Sequence, residues 1–114
     1  MIKAKKKYGQ NFLVDKGVIN KIIQAINPNN SEKILEIGPG LGALTTQILN
    51  KIDHINVVEI DPDMIKALQE KIPSTSITIF SSNILEISND SIAEYDKVIG
   101  NLPYYISSEI LIKM

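Results

Sequence analysis

Apolar positions along the chain alternate between two rhythms. Val18, Ile19, Ile22, Ile23 and Ile26 recur at helical spacing, which predicts a helix capped by Asp15 and running to about Ile26. Asn27-Pro28-Asn29-Asn30 then reads as a turn, and residues 33–37 as a short buried strand. Leu44, Ile48, Leu49 and Ile52 return to the helical rhythm, and residues 56–60 to that of a strand. Asp61-Pro62 is a helix opening, an N-cap followed by proline at the first helical position. That helix is expected to reach about Ile72, where Pro73 ends it. Two further strands are predicted at residues 76–80 and 97–100. Residues 83–95 carry no assignable period, and from about Ser107 the pattern reads as the opening of another helix.

Strands alternating with helices predict an α/β fold, a parallel sheet with right-handed crossovers and helices on both faces. The expected spatial order is 3-2-1-4, the first part of a doubly wound, Rossmann-like sheet. A ligand crevice belongs at the carboxyl ends of strands one and four, where the order reverses. Four strands would leave the fourth as an open apolar edge, which natural domains usually cover. With the apparent helix opening at the end, this reads as the N-terminal part of a longer domain. No repeat or low-complexity tract interrupts it.

Composition narrows the reading only a little. The 44% hydrophobic and 22% charged content is ordinary for a globular domain. Cysteine is absent, which excludes disulfides and thiolate metal sites, and no metal is expected. No apolar run approaches the ~18 residues of a membrane span and the first residues lack a signal core, so a cytoplasmic protein is expected. The net charge of −1 argues against a wholly basic nucleic-acid binder. Lys3, Lys5, Lys6 and Lys7 nevertheless cluster in residues 1–14, ahead of any periodic segment. They read either as a solvated tail or as a phosphate-contacting arm.

The chemistry gathers at Glu36-Ile37-Gly38-Pro39-Gly40-Leu41-Gly42. Three glycines at alternate positions directly follow a buried strand and precede a helix. Glycine lets the backbone turn sharply and lets a ligand approach without meeting a Cβ. Two cofactor readings fit. Gly38, Gly40 and Ala43 satisfy the dinucleotide pattern G-x-G-x-x-A, with Glu59 about 20 residues on, where a ribose-binding acid belongs. The alternative is E-x-G-x-G-x-G, the loop of S-adenosylmethionine-dependent methyltransferases, which also uses Glu36 and Gly42. In either case Glu59 can accept hydrogen bonds from ribose hydroxyls.

Asn101-Leu102-Pro103-Tyr104, placed directly after the fourth strand, favours the methyltransferase. The nitrogen of an exocyclic base amine is a poor nucleophile, because its lone pair is delocalised into the ring. The Asn101 side-chain oxygen and a backbone carbonyl near Leu102 or Pro103 could accept both amine hydrogens and localise that lone pair. Pro103 would fix the backbone so that the acceptors converge. Tyr104 offers a ring face for a flipped or single-stranded base, worth about 1–3 kcal/mol of stacking. No general base is needed before transfer, so catalysis is positioning plus electrostatics.

Together with Gly9-Gln10-Asn11-Phe12-Leu13 and Glu59-Ile60-Asp61, these motifs resemble the ribosomal RNA adenine dimethyltransferases along the whole chain. Gly9 and Leu102 are similar to the small-subunit branch. The erythromycin-resistance branch, which modifies large-subunit RNA, usually has Ser and Ile at these positions. The resemblance implies a class I S-adenosylmethionine-dependent fold. It also implies dimethylation of two adjacent adenosines near the 3′ end of small-subunit ribosomal RNA, within the immature subunit, by a monomeric enzyme. It implies that Asn11 and Leu13 close over the methionine end of the cofactor, Gly38 packs beneath it, Glu59 holds the ribose and Ile60 lines the adenine. Asn83 and Ile84 would also border the adenine, Asn101 would touch cofactor and target, and Tyr104 would stack on the target base.

The chain departs from the family twice. Asn83 stands where the family usually has Asp, so the adenine amine would meet a neutral acceptor. Family members also continue for more than this length again, with further strands and a helical RNA-gripping domain. Residues 15–114 are therefore expected to be the N-terminal part of the methyltransferase domain. Alternatives are the same chemistry on large-subunit RNA or DNA adenine, or a non-catalytic ribosome-assembly factor.

Overall fold

The computed structural model describes residues 16–103 and 108–113, with residues 101–103 and 108–113 described by their backbone. Helix α1 (Lys16–Ile26) is followed by β1 (Ile34–Ile37), α2 (Ala43–Ile48), β2 (Ile55–Glu59), α3 (Pro62–Lys71) and β3 (Ile77–Ser81). A 3-10 turn (Ile84–Glu86) and α4 (Asn89–Ala93) occupy the stretch that lacked a period, before β4 (Lys97–Pro103) and β5 (Ser108–Lys113). The sheet order is β3-β2-β1-β4-β5. The first four strands are parallel, in the 3-2-1-4 order that the sequence predicts.

Both faces of the central strands β1 and β2 are largely buried, and alternation along the strands sorts the core in two. Ile34, Ile55, Val57 and Ile99 pack with Ile19 and Ile26 of α1, Leu44 and Ile48 of α2, and Leu68 of α3. Leu35, Ile37, Val58 and Val98 face the other way, against Ile84, Ile87, Ile92 and Tyr95. Asp61 caps α3 as expected, its carboxylate accepting from the Asp63 amide at 2.9 Å, with Pro62 at the first position.

The end of the chain corrects the sequence reading. Residues 108–113 form a strand, not the start of a helix, and pair antiparallel with β4 from Val98↔Lys113 to Pro103↔Ser108. The apolar edge expected on β4 is therefore covered. Ile110-Leu111-Ile112 is too short a run to distinguish helix from strand by period, and pairing with an open sheet edge decides it. The same pairing draws Asn101, Leu102 and Pro103 into β4, whereas the sequence reading ended that strand at Gly100. Pro103 stands at the strand's last position, opposite Ser108.

Candidate active site

The three glycines behave as their spacing predicts. Gly38, Gly40 and Gly42 have φ of 65°, 59° and 85°, the region that side-chain-bearing residues avoid. The Gly38 amide donates to the Val58 carbonyl at 2.8 Å, holding the start of the loop to β2. The Gly42 amide donates to the Pro39 carbonyl at 3.0 Å, closing a tight turn. A Cβ on Gly42 would lie 2.8 Å from Leu68 Cδ2 in the core. Gly42→Ala combines that clash with left-handed strain and should cost about 2 kcal/mol. Urea unfolding checks this, and a loss below a few tenths would show that α3 yields freely.

Glu59 is buried at the end of β2, not a solvated carboxylate. One oxygen accepts from the Gly40 amide at 3.1 Å, and the other from the amides of Ile60 and Asp61 at 3.1 and 3.0 Å. The predicted ribose acid is thus also the staple that fixes the glycine loop to β2, a role the sequence reading missed. Ile60, beside it, is 59% exposed and presents an apolar surface at the same strand end.

Glu36 points to the α1–α3 side of the sheet and is 1% exposed. The Thr45 hydroxyl of α2 donates to it. Burial raises its pKa from the ordinary 4.5 to about 7; the Thr45 hydrogen bond opposes the rise and the charge of Glu59 adds to it. Glu36 therefore ties β1 to the first turn of the helix that the loop feeds.

Asn83 caps the 3-10 turn. Its side-chain oxygen accepts from the Leu85 amide at 3.0 Å, and the Glu86 carboxylate accepts from the Asn83 amide at 3.4 Å. This capping box is legible as Asn-x-x-Glu at residues 83–86, a signal the sequence reading passed over. Ile84 packs against the second core group. The backbone register sets Ile37 opposite Gly100, so Asn101 leaves the β1 pairing beside Gly38. Glycine loop, Glu59 and the Asn101-Leu102-Pro103 backbone thus share the carboxyl ends of adjacent strands. Lys3, Lys5, Lys6, Lys7, Asn11, Leu13 and Tyr104 lie outside the described residues.

Residues 1–114 match the family described as ribosomal RNA adenine dimethylase. The chain is 46% identical over 108 residues to the ribosomal RNA small subunit methyltransferase A of Methylobacillus flagellatus, covering 95% of this chain and 42% of that protein. Among solved structures, a dimethyladenosine transferase from Plasmodium falciparum matches with a TM-score of 0.67 and 26% identity, over 80% of this chain and 33% of that one. An RNA methyltransferase from Salinibacter ruber in complex with S-adenosyl-L-homocysteine shares the fold, with a TM-score of 0.64 at 17% identity over 76% of this chain and 58% of that one. The chain spans about two fifths of the length of the curated relatives it matches. Sheet order and structural neighbours together make this the Rossmann-like fold of class I S-adenosylmethionine-dependent methyltransferases. The chain belongs to the ribosomal RNA adenine dimethylase family.

Proposed function

We propose that the protein containing this chain is a cytoplasmic enzyme that dimethylates two adjacent adenosines near the 3′ end of small-subunit ribosomal RNA, using S-adenosylmethionine, during ribosome biogenesis. The observation that carries this reading is the register Ile37↔Gly100, which brings the Asn101-Leu102-Pro103 segment alongside the glycine loop. Segments that lie far apart in sequence thus share one end of the sheet. The relatives named ribosomal RNA small subunit methyltransferase A support the choice of RNA.

The residues present fit the cofactor. Gly38 and Gly40, both at positive φ, present no Cβ at two positions of the tight loop, and the buried Glu59 and exposed Ile60 stand at the adjoining strand end. Glu59 would accept from the ribose hydroxyls while holding Gly40, and Ile60 would lie against the adenine face. Asn11 and Leu13 would close over the methionine end. When bound, S-adenosylmethionine supplies a methyl group on a positively charged sulfur. Asn101 and a neighbouring backbone carbonyl would orient the target amine by accepting its two hydrogens, leaving its lone pair directed at that methyl. Tyr104 would stack on the base, and the lysines at 3, 5, 6 and 7 would meet phosphates. The methylated amine can shed its proton afterwards to water.

Label transfer from S-adenosylmethionine is the test. Immature small subunits and naked large-subunit RNA would be offered separately, and dimethyladenosine in the small-subunit RNA is the expected product. Label in large-subunit RNA alone would overturn the choice of substrate. Subunit binding indifferent to cofactor, and unchanged by Asn101→Ala, would instead mark an assembly factor.

A smaller effect is expected at Asn83. Asn83→Asp should tighten S-adenosylmethionine binding by about 1 kcal/mol, the difference between a neutral and a charged hydrogen bond. Calorimetric titration measures it. Unchanged affinity would mean that residue 83 serves only as the cap of the 3-10 turn.

A further inference from the structure

The glycine loop is held from outside by three contacts with the β2–α3 unit. Val58 and Glu59 take the Gly38 and Gly40 amides, and the Lys71 ammonium reaches the Leu41 carbonyl at 2.5 Å. Lys71 is the last residue of α3. Its contact differs from the other two because it fixes a carbonyl rather than an amide. The peptide joining Leu41 to Gly42 is consequently held at both ends, its carbonyl by Lys71 and its N–H by Pro39. Leu68 and Ile72, on either side of Lys71, fill the space beside Gly42.

We propose that Lys71 is a positioning residue for the cofactor loop. By holding the Leu41 carbonyl while Pro39 holds the Gly42 N–H, it resists a turning over of the Leu41–Gly42 peptide, a motion for which glycine at 42 offers no steric barrier. The loop is thereby kept in one conformation before a ligand arrives, and binding does not have to order it. Lys71 itself is exposed, so its contact adds little to global stability, and its loss acts locally on the loop. The link from loop order to cofactor affinity rests on the S-adenosylmethionine reading above.

The test compares the chain with Lys71→Met, which keeps the aliphatic stem, and Lys71→Arg, which keeps charge and donors. Amide hydrogen exchange is read without cofactor, and S-adenosylmethionine binding by calorimetry. In Lys71→Met the Gly42 amide should exchange roughly fivefold faster and the cofactor should bind roughly fivefold more weakly, as expected for one hydrogen bond made by an exposed side chain. Exchange across β2 and the thermal midpoint should be unchanged, and Lys71→Arg should recover most of both losses. Unaltered Gly42 exchange would overturn the positioning role whatever the cofactor. Faster exchange with unaltered affinity would overturn its link to binding. If Lys71→Met shows the exchange effect but the unsubstituted chain binds no S-adenosylmethionine, the cofactor reading fails while the loop-positioning role stands.

Discussion

Replacing Lys97 by methionine is expected to lower the unfolding free energy by about 3 kcal/mol, the usual cost of removing one partner from a buried ion pair. Lys97 opens β4 and is 8% exposed. Its ammonium donates to the carbonyl oxygens of Ile26 and Asn27, and it pairs with Glu32 at 2.9 Å. A cation there serves the negative end of α1, whose last carbonyls have no helical partner. Methionine fills similar space but leaves those carbonyls and Glu32 uncompensated. Glu32→Gln should cost less, because Glu32 is partly open to water, whereas Lys97 would keep its two carbonyls. Urea denaturation with an unchanged slope measures both. Equal losses for the two variants would show that the ion pair, not the helix cap, carries the energy.

The second large effect concerns pH. Glu36 has its pKa raised by burial from 4.5 to about 7, so the folded chain holds this proton more tightly than the unfolded chain. Its contribution to stability is therefore fully present below pH 4.5 and is lost as pH rises to 7, a change on the order of 3 kcal/mol. Glu36→Gln keeps an oxygen for the Thr45 hydroxyl and cannot ionise. The variant should match the natural chain near pH 4.5 and exceed its stability by about 3 kcal/mol at pH 8, where the natural chain must bury a charge. The difference between the two chains isolates this group from other titrating residues. Parallel stability curves across that range would mean that Glu36 ionises normally in the folded protein.

What was legible in the sequence was mainly what local patterns encode. The alternate glycines announced their positive φ, Asp61-Pro62 announced the start of α3, and the periods of the apolar residues gave the first four strands and their order. Contacts between distant residues left no such trace. Lys97 reaches α1 across about 70 residues, and nothing around it in sequence marks it as a helix cap. Thr45 lies beside Glu36 only because the glycine loop turns the chain back on itself. The strand at 108–113 was misread for a related reason. Its short apolar run is ambiguous alone, and only the exposed edge of β4 assigns it. At the candidate site, the residue types were legible from motif spacing. The second role of Glu59, as the staple of Gly40, came from the fold, whereas the cap at Asn83 is written in the Asn-x-x-Glu spacing of residues 83–86.

On the function proposed above, the glycine loop and Glu59 form a site for S-adenosylmethionine. Calorimetric titration of this chain with S-adenosylmethionine, and separately with NADH, tests it most directly. Saturable binding of S-adenosylmethionine and none of NADH is the predicted result. Binding of NADH in its place, or of neither, would contradict the claim.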